Sequence, residues 1–154
     1  MSDAARILIV DDEQSLREFL EIFLRKEGFD VRTAAGGAQA VATLDAGEEY
    51  DLVLTDLMMP DVDGLEVLSE VKNRHPETQV LMMTAYATAD TAIEAMKRGA
   101  FDYIQKPFKN HEIQVVIDKV LVHRSLGTLD VLVAGIVTIS IFEVVLGALR
   151  TYLF

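Results

Sequence analysis

Five short runs rich in apolar residues recur along the first two thirds of the chain, and this recurrence most limits what the chain can fold into. Apolar runs of this length indicate strands that are buried inside a sheet. They lie at 6–10, 29–34, 51–55, 79–84 and 101–105, the second being the weakest. The sequence therefore predicts five β-strands spread over about a hundred residues.

Helical patterns fill the intervals between these runs. In the first interval Leu16, Leu20 and Leu24 recur at helical spacing, and Gly28 stands where a helix C-cap belongs. Further helices are predicted at 38–46, 65–74, 91–98 and from about 111 to 124, the second and the fourth of the five closed by Gly47 and Gly99. Five strands alternating with five helices predict an α/β fold whose parallel sheet is covered on both faces.

Charge and composition exclude several classes of function. The chain has 14 Lys and Arg against 25 Asp and Glu, a formal net charge of -11. So negative a surface repels phosphate backbones, which argues against nucleic-acid binding. The chain has no cysteine, which excludes disulfides, thiol nucleophiles and thiolate zinc sites. No signal-peptide pattern opens the sequence, so we expect the amino-terminal part to be cytoplasmic.

Polar side chains follow the ends of four predicted strands. Asp11 and Asp12 come after the first, Asp56 after the third, Thr84 closes the fourth, and Lys106 follows the fifth. Open parallel sheets bind ligands at the carboxyl ends of their strands. If the first and third strands are neighbours, three carboxylates converge and cannot all stay ionised without a cation. Oxygen ligands of this kind favour Mg²⁺.

A simpler interpretation applies to single members of this set. An isolated Asp11-Asp12 pair is most often a helix N-cap with a solvated neighbour. Tyr103, taken alone, is a half-buried aromatic residue. The matching positions of Asp56 and Lys106 at other strand ends favour a shared site over these separate roles.

Four motifs resemble the receiver domains of bacterial two-component response regulators, most closely those of sigma-54 activators. They are ILIVDDE at 7–13, DLVLTDLMMPDVDG at 51–64, LMMTAY at 81–86 and GAFDYIQKPF at 99–108. Together they cover about the first 124 residues in the order typical of that family. The resemblance implies a flavodoxin-like (βα)5 fold with strand order 2-1-3-4-5. Gly64, at the end of the second motif, is expected to supply a loop conformation.

The resemblance also implies a metal site and a phosphorylation site. Asp56 would be the phospho-acceptor. Asp12, Asp56 and the backbone carbonyl of Met58 would bind Mg²⁺ directly, and Asp11 would do so through a water. We expect the side chain of Met58 itself to fill the core.

Other residues of these motifs are implied to respond to the phosphoryl group. Lys106 would pair with its oxygens, Thr84 would donate a hydrogen bond to it, and Tyr103 would be the aromatic switch that turns inward. Pro107 would follow a cis peptide bond. The implied partners are a sensor histidine kinase and a second copy, bound through the fourth helix, fifth strand and fifth helix. The chain would not be an enzyme beyond assisting its own phosphotransfer and dephosphorylation.

The tail departs from the receiver pattern. Residues 131–149 form an apolar run interrupted only by Glu143, long enough to cross a bilayer. Residues 114–154 resemble a membrane segment of type I secretion ABC transporters. The predicted organisation is a receiver domain at 1–124, a linker at 125–130 and a hydrophobic transmembrane-like helix with a short tail at 131–154.

Three interpretations of the tail stay open. The first is a cytoplasmic receiver anchored to the inner membrane through 131–149. The second is a soluble single-domain receiver that oligomerises through its apolar C-terminal helix, and the third is a fusion remnant beside a receiver that merely folds.

Overall fold

The computed structural model describes residues 4–125. The chain divides into two compact units, Met1–Val120 and Leu121–Phe154, and the first of them holds the whole sheet. Most of the predicted linker and all of the predicted segment 131–154 lie outside the described residues. Within the described range, no helix combines the length and the apolar character that crossing a membrane requires.

The described chain alternates strands and helices throughout. The strands are β1 (Arg6–Val10), β2 (Asp30–Ala34), β3 (Leu52–Asp56), β4 (Gln79–Thr84) and β5 (Asp102–Gln105). The helices are α1 (Gln14–Lys26), α2 (Gly37–Asp45), α3 (Gly64–Arg74), α4 (Ala89–Lys97) and α5 (Asn110–Ser125). This order confirms the predicted five-fold alternation.

The five strands form one parallel sheet in the order β2-β1-β3-β4-β5. The chain thus adopts the flavodoxin-like (βα)5 fold with the strand order that the motifs implied. The register pairs Val10 with Thr55 and Asp56 with Met83. The carboxyl ends of β1 and β3 therefore lie side by side, which is the condition that the convergence of the acidic residues required.

The central strands are buried from end to end. Ile7 to Val10 and Leu52 to Leu54 are completely shielded from solvent, because helices cover both faces of the sheet. Strand β3 extends one residue beyond its prediction, since Asp56 continues the ladder to Met83. A polar residue at the end of an apolar run can still belong to the strand, and Asp56 is thereby fixed by backbone pairing.

Glycines end three of the helices, as predicted. Gly28, Gly47 and Gly99 have positive φ angles of 96°, 82° and 98°, the left-handed conformation that glycine adopts without a Cβ clash.

The first residues of the transporter-like segment 114–154 belong to α5. The transporter-like pattern begins at residue 114, yet Ile117 and Val120 of α5 are fully buried together with Ile113. The overlap of the two patterns is therefore resolved in favour of the receiver for this part of α5.

Candidate functional site

Three carboxylates meet at the carboxyl edge of the sheet. One carboxylate oxygen from each of Asp11, Asp12 and Asp56 lies within 4.8 Å of the other two. Asp11 is fully buried and Asp56 nearly so, while Asp12 is exposed to solvent. We call these three residues the acidic cluster.

Local hydrogen bonds hold Asp11 in place. The backbone N–H of Glu13 donates to Asp11 Oδ1 at 2.9 Å, and the Arg17 guanidinium donates to the Asp11 carbonyl at 2.8 Å. The N-cap of α1 is Glu13, so neither Asp11 nor Asp12 has the capping role of the simpler interpretation. The buried carboxylate of Asp11 faces the site instead.

Lys106 brings an ammonium group to the acidic cluster. Its Nζ lies 2.6 Å from Asp11 Oδ2 and 3.3 Å from Asp56 Oδ2, and its side chain is 14% exposed. The Lys106 backbone N–H donates to the Thr84 carbonyl at 2.8 Å, which ties the end of β5 to β4. The Lys106-Pro107 peptide bond is cis, as the motif implied.

Burial and charge shift the pKa values of Asp56 and Lys106. Desolvation raises the pKa of Asp56, and the nearby Asp11 charge raises it further against the opposing effect of Lys106. Desolvation would lower the pKa of Lys106, but its contacts with Asp11 and Asp56 outweigh this, so that its pKa is raised overall. The lysine is therefore charged at neutral pH, whereas Asp56 holds its proton to a higher pH than an ordinary aspartate.

The donor set of the acidic cluster fits a hard divalent cation. Three carboxylates and one ammonium leave a formal charge of -2 at the edge of the sheet. Two of the carboxylates are buried and one is open to solvent, a combination that suits an ion which keeps part of its water shell. Such an ion would favour the ionised form of Asp56, whose pKa is raised chiefly by desolvation.

Thr84 ends β4 at the same edge of the sheet as the acidic cluster, and Tyr103 lies on the neighbouring strand β5. Thr84 is buried, and its Oγ1 accepts a hydrogen bond of 3.0 Å from the Tyr86 backbone N–H. Tyr103 is 41% exposed. Both residues line a small apolar cavity whose other walls include Leu57 and Ala95.

Two expectations for the second motif were wrong. The side chain of Met58 is 61% exposed and does not fill the core, although Met59 packs against the core. Gly64 does not serve a loop conformation, because it begins α3 and has no positive φ. A Cβ at Gly64 would lie 2.1 Å from the Asp56 carbonyl oxygen, so glycine is required for the close approach of two backbones.

The sequence matches a known family along most of the described chain. Residues 7–118 match the model of the response regulator receiver domain. This match agrees with the parallel sheet and with the acidic cluster at its carboxyl edge. The chain belongs to the response regulator receiver domain family.

Curated relatives come from sigma-54-activator regulators. The regulatory protein AtoC of Escherichia coli is 40% identical over 126 residues, which is 82% of this chain and 27% of the relative. The response regulator protein PilR of Pseudomonas aeruginosa is 48% identical over 102 residues, covering 66% of this chain and 23% of PilR. The chain thus spans about a quarter of the length of the curated relatives it matches.

Solved structures share the fold. A CheY-like receiver domain protein from Methanospirillum hungatei aligns with a TM-score of 0.77 and 29% identity, over 80% of this chain and 98% of that protein. NtrX from Brucella abortus aligns with a TM-score of 0.74 and 36% identity, over 80% of this chain and 28% of NtrX.

Proposed function

We propose that this chain is the phospho-accepting receiver of a two-component phosphorelay, with Asp56 as the acceptor. One observation carries the proposal: the Asp56 carboxylate, almost fully buried at the end of β3, lies 3.3 Å from the Lys106 ammonium and within reach of two further carboxylates. Burying a carboxylate beside two others costs folding free energy even with a lysine nearby, so its presence suggests a chemical role.

In the proposed reaction an Asp56 carboxylate oxygen attacks the phosphorus of the donor. The new bond joins that oxygen to phosphorus, and the bond from phosphorus to the donor's leaving atom breaks, with its electron pair departing on that atom. Two anions must approach each other, so positive charge is needed at the site. Lys106 supplies part of it, since its raised pKa keeps the ammonium protonated.

The cation implied by the donor set is Mg²⁺. Asp12, Asp56 and the Met58 carbonyl would hold it directly, and Asp11 would hold it through a water. When bound, it would neutralise the carboxylates and the phosphoryl oxygens. The protein itself positions the reacting groups. Strand β3 fixes Asp56 by its pairing with Met83, and Lys106 would orient the transferred phosphoryl group.

In this proposal, Thr84 and Tyr103 couple phosphorylation of Asp56 to a conformational change outside the site. Phosphorylation adds about two negative charges and three acceptor oxygens. The Thr84 hydroxyl would exchange its hydrogen bond with Tyr86 for one to the phosphoryl group. This movement would open room beside the small cavity that Thr84 and Tyr103 line, and the Tyr103 ring would turn inward.

A sensor histidine kinase is the proposed donor in the cell, and the site is proposed to catalyse only its own phosphotransfer and dephosphorylation. A second copy would bind through α4, β5 and α5, where Ile93, Met96 and Val115 are about half exposed. The phosphodonor chemistry takes place in the cytoplasm, so we assign the receiver to that compartment.

Membrane anchoring through 131–149 is proposed from sequence alone, with oligomerisation through the same segment as the alternative. Fractionation of cells expressing the full chain, beside a version lacking residues 128–154, separates the two. Recovery of the full chain in the membrane fraction supports the anchor. Complete recovery in the soluble fraction without detergent, with a larger size than the shortened chain, supports the alternative.

Incubation of the full chain with acetyl phosphate tests the proposed chemistry. We expect the intact mass to increase by one phosphoryl group when Mg²⁺ is present and not when it is chelated. Asp56→Asn should show no increase. Equal modification of wild type and Asp56→Asn would overturn the proposal.

A further inference from the structure

The loop between β3 and α3 is hydrogen-bonded to the start of a different helix, α2. This loop carries Met58 at its beginning and Asp61 and Val62 near its end. The Ala38 backbone N–H, in the first turn of α2, donates to Asp61 Oδ2 at 3.2 Å. The N-cap residue of α2 itself, Gly36, has no side chain and so makes no cap of its own. Asp61 therefore caps α2 from another element.

Close packing reinforces this hydrogen bond. A Cβ placed at Gly37 would lie 2.1 Å from the Val62 carbonyl oxygen, and one at Gly36 would lie 3.3 Å from Asp61 Oδ1. The loop thus rests directly on the bare backbone of the first turn of α2. The backbone N–H groups of Val62 and Ala38 hold the pKa of Asp61 below its ordinary value, as expected for an ionised cap.

The fastened segment adjoins the proposed metal site. Met58 lies only three residues before Asp61, and Met59 between them packs against the core. The path of the backbone at Met58 is consequently fixed by β3 on one side and by the contact with α2 on the other.

We propose that Asp61 is a positioning residue that fixes the Met58 carbonyl for Mg²⁺ by capping α2. This inference rests on the proposed function, since it needs the Met58 carbonyl to be a metal ligand. Asp61 touches neither metal nor phosphoryl group in this role, and acts only through the loop.

Titration calorimetry of the full chain with Mg²⁺ alone tests the inference. Asp61→Ala should weaken Mg²⁺ binding about tenfold, the lower end of the range for groups that orient metal ligands. Asp61→Asn keeps an oxygen that accepts the Ala38 hydrogen bond, and should return the Kd to within about twofold of wild type.

Gln39→Ala is the matched control. Gln39 Oε1 accepts a 2.8 Å hydrogen bond from the Ala35 N–H, also at the start of α2, and this bond does not involve the β3–α3 loop. We expect this variant to lose thermal stability to a similar degree while its Mg²⁺ affinity is unchanged.

Two results would overturn the inference in distinguishable ways. If Asp61→Ala bound Mg²⁺ as tightly as wild type and lost only stability, Asp61 would be a structural cap and the proposed function would stand. If wild type itself bound no Mg²⁺, the proposed function would fail and this inference with it.

Discussion

Replacing Asp56 by asparagine should stabilise the folded chain when Mg²⁺ is absent. Asp56 has a side chain only 11% exposed, so its carboxylate has lost most of its hydration. Asparagine keeps nearly the same shape and removes the charge, while Lys106 keeps its 2.6 Å partner Asp11. The substitution thus isolates the energetic effect of one buried charge.

The size of this stabilisation can be estimated from the distances between Asp56 and the charged groups around it. With an effective dielectric constant of about 20, Lys106 at 3.3 Å attracts the Asp56 charge by about 5 kcal/mol. Asp11, with an oxygen no more than 4.8 Å away, repels it by about 3.5 kcal/mol or more, and the solvent-exposed Asp12 adds a weaker, screened repulsion. The net attraction that remains is smaller than the several kcal/mol that desolvation of an ion costs. We expect a net gain of about 1–3 kcal/mol for Asp56→Asn, which raises the Tm by roughly 3–12 °C.

The pH dependence has a definite sign. Because the pKa of Asp56 is raised in the folded state above its ordinary value of 3.8, the folded state binds the proton more tightly than the unfolded state. The destabilisation is therefore absent below the unfolded pKa, grows as the pH rises through the folded pKa, and is complete above it. The advantage of Asp56→Asn should vanish in acid, below the unfolded pKa, and should grow as the pH rises through the folded pKa.

Thermal unfolding followed by circular dichroism measures the difference in stability between Asp56→Asn and wild type. The measurement is made once with chelator and once with Mg²⁺. Mg²⁺ at ten times its Kd should stabilise wild type by about 1.4 kcal/mol and the variant far less. A variant no more stable than wild type in chelator at neutral pH would refute the reasoning. So would an advantage that did not change with pH.

Three further predictions concern the rest of the site. Lys106→Ala should slow phosphorylation by acetyl phosphate by about a hundredfold or more. The same variant should bind Mg²⁺ more tightly, because the competing ammonium group is gone. A loss of Mg²⁺ affinity together with the loss of phosphorylation rate would contradict this prediction. Gly64→Ala should lower the free energy of unfolding in urea by about 2–3 kcal/mol because its Cβ meets the Asp56 carbonyl. Gly47→Ala, with open space around it, should cost only about 1 kcal/mol of backbone strain. Equal losses in the two variants would refute the contact. Phosphorylation should change hydrogen exchange between about residues 85 and 119, and a change confined to the neighbourhood of Asp56 would disprove the coupling.

Much of the fold could be predicted because strand ends are marked chemically. Apolar runs that stop at Asp11, Asp56 or Lys106 identify both a buried strand and the edge where ligands bind. The parallel topology then brings those ends together without any knowledge of side-chain contacts. The residues of the acidic cluster and its lysine were predicted in this way, and their roles in phosphotransfer stay predictions.

Contacts between the ends of separate elements could not be predicted. The need for glycine at Gly64 arises from the distance between the start of α3 and the Asp56 carbonyl at the end of β3, and the capping of α2 by Asp61 joins a loop to a separate helix. Neither contact leaves a periodic pattern in the sequence, because each depends on how the finished sheet places the two elements. The exposure of Met58 has the same origin, since hydrophobicity alone favoured the core.

Locating the phosphoryl group on the chain tests the central claim most directly. After incubation with acetyl phosphate and Mg²⁺, borohydride reduction converts an aspartyl phosphate to a stable homoserine that peptide mass spectrometry can map. We predict that this conversion occurs at Asp56 and at no other aspartate of the peptides recovered. Conversion at Asp11 or Asp12 with Asp56 unchanged, or a phosphoryl group retained elsewhere in Asp56→Asn, would contradict the account.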